Sequence, residues 1–294
     1  MRTTLSGGIG SGMNLDSIMT QLQSAEKMPL DSLDAKASSY TAQLSGIGKI
    51  TSALAALRDA ADSLSSQLGA SSAAASNSTV DTTSTDTEVK ASIDDFIKSY
   101  NALNSAVKTL TAPDSKGLAG GPLQDDNATR AVQARLRSLL TQSFGDQGST
   151  RLAQIGILTQ ADGNLKRDSA KFDAALSVDR EKIVGLFTGG GEPSRSLDAK
   201  LSTLIDDLTG SNGLMTIRKA TLSSTLGEVE DQKASLQTHF DALNKQLRAQ
   251  YASLDNTLGQ LSGRSTDSST TNAFASTADF NVPDAIAHDV WNAA

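Results

Sequence analysis

The sequence predicts a mainly α protein, with long coiled-coil helices toward both termini and, between them, a small helical domain carrying one β-hairpin. Three observations carry this expectation. Apolar residues recur at alternating spacings of three and four along two long stretches, the mark of a coiled-coil seam. Only 5 of 294 residues are proline, which leaves long helices uninterrupted. Aromatics make up 4% of the chain, too thin a supply of large side chains for one thick globular core.

The first stretch runs Leu30, Leu33, Ala37, Tyr40, Leu44, Ile47 and resumes Ile50, Leu54, Leu57, Ala61, Leu64, Leu68. Its single irregularity, the 3–3 step across Leu44, Ile47 and Ile50, lies beside Gly46 and Gly48 and predicts a bend there. Ahead of it, Leu15, Ile18, Met19 and Leu22 mark a shorter helix with Asn14 as N-cap. Pro29 predicts a break near Lys27 and Met28. Residues 1–68 thus form a flexible start followed by coiled-coil helices, and the Ser/Thr/Ala-rich residues 69–87 read as a linker or a weak strand around Val80.

Residues 88–208 read as a helical domain. Val89, Ile93, Phe96, Ile97, Tyr100, Leu103, Val107 and Leu110 share one helix face over 88–110, and Val132, Leu136, Leu139 and Leu140 mark a second helix over 127–143. The period then changes: 152–159 and 165–166 flank Asp162-Gly163, a hairpin turn signal. Short helices follow over 169–176, 179–187 and 196–208, and the turn 210–213 leads into the second heptad series. Over 209–262 that series runs Leu222, Leu226, Val229, Lys233, Leu236, Phe240, Leu243, Leu247, Tyr251, Leu254, Leu258, Leu261. Lys233 is its one polar position, a device that fixes register at some cost in stability. Residues 263–294 lose all periodicity and are expected to be a mostly disordered tail, with a short helix at its end.

Isolated heptad helices are marginal, so partner helices are the expected source of their stability. The candidate self-assembly seam is Leu30, Leu33, Tyr40, Leu44, Ile47, Leu54, Leu57, Leu64 and Leu68 on the first helix. On the second it is Leu226, Val229, Leu236, Phe240, Leu243, Leu247, Leu254, Leu258 and Leu261.

Chemistry is harder to place. The opening GGIGSG, with Gly8, Gly10 and Gly12, resembles a phosphate loop, but only about six residues precede it and no GKS/T follows, so the βαβ context is missing. A flexible entry to the first helix is the better reading. The pairs Asp94-Asp95, Asp125-Asp126 and Asp206-Asp207 are sequence neighbours that point apart on a helix and read as solvated faces. Asp162-Gly163-Asn164 lacks the spaced acidic positions of a calcium loop. His239 and His288 are the only histidines, without metal-binding spacing, and there is no Cys. Arg130, Arg135 and Arg137 lie along one charged helix. No catalytic residue, cofactor or metal site is expected, and the protein reads as a non-enzyme. A net charge of −7 makes nucleic acid and anionic membrane surfaces poor partners. No run approaches the roughly 20 apolar residues of a membrane span, and the N-terminus lacks a signal-peptide pattern.

Several stretches together resemble the flagellar hook-associated protein 2 family of filament-capping proteins. They are GIGSGMNLDSIMTQLQSAEKMPLDSL and SSYTAQLSGIGKITSALAAL at the start, then IDDFIKSYNAL, GPLQDDNATRAVQARLRSLL, LAQIGILTQADGNLKRDSAKFDAAL and IVGLFTG, in order over roughly residues 5–262. Two departures accompany the likeness. Only 69–87 stands where such proteins carry a large variable central portion, and the tail after Gly263 lacks the family's Ser-Tyr-Leu-like ending. The resemblance implies a ring-like homo-oligomer, commonly a pentamer, at the filament tip, working with flagellin, hook–filament junction proteins and an export chaperone. It also implies leg-like terminal helices and secretion by the flagellar type III route without a cleaved signal. Alternatives are a flagellin-like or hook-junction axial protein, a truncated cap paralogue that modulates assembly, and a nucleotide-dependent enzyme using GGIGSG.

Overall fold

The structure, a computed structural model, describes residues 15–76, 82–114, 120–144, 150–189 and 192–267. The glycine stretch at 8–12, the N-cap expected at Asn14 and the tail beyond 267 lie outside these residues. The chain divides into two compact units, Lys27–Gln237 on the one hand and Met1–Glu26 with Thr238–Ala294 on the other.

The two long helices are present. Helix α1 spans Leu15–Ser76, 62 residues. Helix α7 spans Leu214–Asp267, 54 residues, and so runs past the boundary expected at 262. The break expected near Lys27 and Met28 is not there: α1 continues through Pro29. A mid-helix proline forfeits one backbone hydrogen bond and crowds the carbonyl four residues back, a penalty of ~3 kcal/mol. Ending the helix would require a second costly nucleation for the turns beyond, so a long helix absorbs the defect.

The stretch expected as a linker is helical on both sides of 77–81, since α1 reaches Ser76 and α2 spans Thr82–Leu110. Ala70, Ala73, Ala74 and Ala75 are the strongest helix formers and extend α1 without an apolar stripe.

Between the long helices the order is α3 (Asn127–Leu140), β1 (Ile157–Thr159), β2 (Leu165–Arg167), α4 (Ser169–Val178), α5 (Arg180–Thr188), a 3-10 turn (Pro193–Arg195) and α6 (Leu197–Thr209). Caps explain where three of these helices begin. Asp126, Asp168 and Ser196 accept hydrogen bonds from the backbone N–H of Thr129, Lys171 and Ala199 respectively. Helix α3 stops at Leu140, short of the 143 expected, and the chain then forms an isolated antiparallel bridge between Phe144 and Thr150.

The hairpin is antiparallel, with Ile157 opposite Arg167 and Thr159 opposite Leu165. Its turn forms as the sequence predicts: Gly163 takes φ +79°, a conformation costly for other residues, and Asp162 Oδ1 accepts from Asn164 N at 2.9 Å. A two-stranded hairpin is marginal alone, and here α2 supports it. The Asn101 side-chain amide donates to Leu165 O at 2.9 Å, and its oxygen accepts from Leu165 N at 2.7 Å, so one side chain pairs the free edge of β2 as a third strand would. Asn104 Nδ2 reaches Asn164 Oδ1 at 2.7 Å, and Arg167 makes a two-pronged bond to Asp94, both contacts 2.7 Å. Asn101→Ala would strand both backbone groups of buried Leu165 and is expected to destabilise the Lys27–Gln237 unit by about 1–3 kcal/mol. Urea unfolding checks this; a cost below about 0.5 kcal/mol would mean that the edge is satisfied otherwise.

One contiguous apolar core fills the Lys27–Gln237 unit. It joins the α1 stripe from Ile47 to Leu68, the predicted face of α2, and apolar residues of α3 to α6, Met215 and Leu222. This core is thicker than the 4% aromatic content predicts. The few aromatics are concentrated instead: Phe96, Phe144, Phe172 and Phe187 are all fully buried, and Phe96 meets Phe187 edge-on with centroids 6.2 Å apart. Gly46, expected at a bend, is buried; a Cβ there would come within 3.0 Å of Leu123 and 3.2 Å of Leu110. Its bareness lets the segment after α2 close onto α1.

Candidate functional site

The proposed seam divides into two by exposure. In α1, Leu30, Leu33, Tyr40 and Leu44 are half-buried, whereas Ile47, Leu54, Leu57, Leu64 and Leu68 are buried within the chain's own core. In α7, Val229 is buried and Leu226 and Leu236 are half-buried. Within the other unit, Phe240, Leu243 and Leu247 are half-buried and Leu254 is 45% exposed. The side chains of Leu258 and Leu261 lie outside the described residues. The same heptad rule therefore serves two purposes along each helix. Its core-proximal parts fasten the chain to itself, and the remaining apolar positions keep surface that another helix can cover.

Lys233, the polar position in the second series, pairs with Asp34 of α1. That contact is an exposed ion pair that brings the two helices near each other within Lys27–Gln237. A second tether joins α7 to the start of α3: Arg218 Nε donates to Asp126 Oδ2 at 2.6 Å. A third joins α1 to α6, where Arg58 Nη1 meets Asp206 Oδ1 at 2.6 Å. Asp206 and Asp207 are exposed, as are Asp94 and Asp95, so the paired aspartates do not converge. Asp125 is exposed but Asp126 is buried, because it caps α3.

Two carboxyl groups depart from ordinary behaviour. Burial alone would push Asp126 up, but hydrogen bonds from the Thr129 N–H, Arg218 and the Thr129 hydroxyl, together with the Arg218 charge, hold it below the usual carboxylate value. Asp198 on α6 shifts the opposite way, pushed up to about 6 by burial and by Asp62 of α1. Sequence spacing gave no sign of the Asp62–Asp198 approach, since the residues lie on helices far apart in the chain. Burial also raises Tyr100, partly offset by the Arg137 charge. Arg130 lies against the Gln124 carbonyl, whereas Arg135 is exposed.

Among the described residues, no group of three or more His, Cys, Asp or Glu is placed to hold a metal ion. His239 stands beside Phe240, ring centroids 6.3 Å apart, and His288 lies outside the described residues. No described helix is long and apolar enough to cross a membrane.

Two long helices with heptad stripes, part buried and part left open, define a coiled-coil structural protein. The chain belongs to the flagellar hook-associated protein 2 family: the family described as the C-terminus of that protein matches residues 35–263. It is similar to the B-type flagellar hook-associated protein 2 of Pseudomonas aeruginosa, 33% identical over 171 residues, covering 56% of this chain and 35% of that protein. The flagellar hook-associated protein 2 of Aeromonas caviae is 29% identical over 182 residues, covering 60% and 38%. A solved structure of the flagellar cap protein FliD from Escherichia coli is 26% identical, with TM-score 0.42, over 49% of this chain and 37% of that one. The matched stretch thus spans little more than a third of the curated relatives' length.

Proposed function

We propose that this protein is a flagellar filament cap, which self-assembles at the filament tip and promotes flagellin polymerisation as the filament grows. The observation that carries the reading is the open part of the stripe on a chain of this family: Leu226, Leu236, Phe240, Leu243 and Leu247 half-buried and Leu254 exposed. Helices of neighbouring copies would complete the burial, as heptad positions require. On this reading the partners are copies of the chain in a ring, commonly five in such proteins, with flagellin, hook–filament junction proteins and an export chaperone. The mechanism is geometric, without catalysis: the ring presents mismatched sites to the filament lattice, and its leg ends re-pack as each flagellin folds beneath them. The place of action is outside the cell, reached through the flagellar export apparatus. On this reading the legs are residues 1–68 and 209–262, joined through 69–87 to a plate-proximal part at 88–208, with a tail from 263.

A second reading, a shortened cap paralogue that modulates assembly, draws on one observation: only residues 77–81 separate α1 from α2, where the resemblance places a large central portion.

Light scattering across a concentration series tests both. A discrete multi-subunit species is expected, and Leu243→Asp with Leu247→Asp should reduce it to monomer while the Lys27–Gln237 unit melts unchanged. A strict monomer at high concentration would defeat the ring and favour the modulator.

A further inference from the structure

The turn that joins α6 to α7 carries the chain's one Asn-Gly pair, Asn212-Gly213. No other residue fits at Gly213 without moving the backbone, because a Cβ there would stand 2.6 Å from the carbonyl carbon and oxygen of Leu208. Hydrogen bonds on both sides hold the turn shut. Gly213 N donates to Gly210 O at 2.8 Å, and Ile217 N donates to Gly213 O at 2.9 Å. The Thr216 hydroxyl, in the first turn of α7, reaches across to Thr209 O at the end of α6, 2.9 Å away. Leu208 and Met215 are buried on either side of the turn, whereas Asn212 is exposed.

An asparagine amide is an electrophile for the backbone nitrogen that follows it, and glycine leaves that nitrogen unshielded because it has no Cβ. Attack of Gly213 N on Asn212 Cγ forms a C–N bond and closes a cyclic imide. The Cγ–Nδ2 bond breaks, and Nδ2 leaves as ammonia with the proton that Gly213 N gives up. Water then opens the imide at either carbonyl carbon, giving aspartate or isoaspartate, so water is the only co-reactant. In the closed turn the Gly213 N–H is bonded to Gly210 O, and ring closure needs that bond broken. We propose that Asn212 is a self-modification site gated by the α6–α7 turn: it loses its amide when the turn opens, and the Thr216 hydroxyl is the latch that keeps the turn closed.

Asp162-Gly163, which shares the following glycine, makes the contrast. Both Asp162 oxygens accept from Asn164, from its N at 2.9 Å and its Nδ2 at 2.7 Å, and an ionised carboxylate resists attack by a nitrogen. Asn212 offers a neutral amide in solvent. Either product puts a negative charge just ahead of α7, where a helix N-terminus favours one. Isoaspartate also adds a methylene to the main chain, in a turn already pressed against Leu208. Because opening of the turn is a local event, the modification records how often α6 and α7 part, independently of the capping role.

The test incubates the full chain at neutral pH, folded in buffer and unfolded in urea, and follows the tryptic fragment 201–218, which contains no other asparagine, by mass spectrometry. The fragment should gain the mass difference between amide and acid in both states, about tenfold or more slowly in the folded chain. Thr216→Val keeps the shape and deletes the hydroxyl; it should speed the folded-state reaction about 2- to 10-fold, as loss of one hydrogen bond allows, and leave the unfolded rate unchanged. Thr216→Ser restores the hydroxyl and should return the rate to that of the wild type. Hydrogen exchange at the Gly213 amide reads the same opening and should rise by the same factor as the reaction, which keeps the test decisive should Thr216→Val also lower overall stability. Asn212→Gln, which would have to close a larger ring, should stay unmodified in both states. A folded rate within about twofold of the unfolded one, an unmodified fragment in the unfolded chain, or a Thr216→Val rate equal to that of the wild type would overturn the proposal.

Discussion

Replacing Phe96 with alanine is expected to cost the Lys27–Gln237 unit about 3–5 kcal/mol, the range for truncating a fully buried phenylalanine in a core that cannot collapse. Phe96 lies on the buried face of α2, has no exposed surface and meets the equally enclosed Phe187 edge-on. Part of the loss is that ring contact, about 0.5–1.5 kcal/mol beyond the area removed from water. The rest is transfer and the cavity left where α2 and α5 meet. With 2–4 °C per kcal/mol for a unit of this size, the calorimetric midpoint should fall by roughly 6–20 °C. Val178→Ala is the matched control: Val178 is 80% exposed at the end of α4, and its truncation should change stability by less than about 0.5 kcal/mol. A loss below about 1 kcal/mol in Phe96→Ala would show that the helices close around the space.

The core around Phe96 is larger than the amino-acid composition implies. A composition of 4% aromatics argues against a thick core, but average content does not measure core size. Placement matters more, since Phe96, Phe144, Phe172 and Phe187 are all fully buried in one core. The helix faces themselves were legible, because burial of Val89, Ile93, Phe96, Tyr100, Leu103 and Val107 follows directly from a period of 3.6. So was the hairpin turn, because Asp-Gly has few other conformational uses. Pro29 does not end α1 because the turns on either side hold the helix together.

The seam shows a different limit. Alternating spacings identify a stripe that must be covered, but leave open whether the cover comes from the same chain or another copy. Ile47, Leu54, Leu57, Leu64 and Leu68 turn out to be covered from within, and no spacing distinguishes them from Leu243 or Leu254. What distinguishes them is long-range: α2 and α6 lie on the one part of α1, as the Gln67–Glu88 and Arg58–Asp206 contacts record. Such contacts join residues too distant in sequence for any periodic pattern to reveal.

The Asp126–Arg218 pair is the strongest case of this, and breaking it is expected to have the second large effect. Asp126 is 5% exposed, caps α3 through Thr129 N at 2.8 Å, accepts from Thr129 Oγ1 at 3.0 Å, and takes Arg218 Nε at 2.6 Å from the start of α7. Arg218→Met removes the cation but leaves the buried carboxylate, and should cost about 3 kcal/mol; the partial exposure of Arg218 places this at the low end for a broken buried pair. Asp126→Asn, which keeps an acceptor for the cap, should cost less, and the double variant should be less destabilised than the two losses summed. The pH dependence separates charge from packing. Because Asp126 is held below its ordinary 3.8, its contribution is present above that value and is lost as pH falls through the folded-state pKa. Asp198 contributes in the opposite sense, losing its stabilisation as pH rises toward about 6. Calorimetry from pH 2.5 to 7.5 should therefore find greatest stability near pH 4, falling on both sides. Asp126→Asn should flatten the acid side alone, and Asp198→Asn the other. An acid limb unchanged in Asp126→Asn would mean that other carboxylates govern acid unfolding and that the α3–α7 tether holds through shape rather than charge.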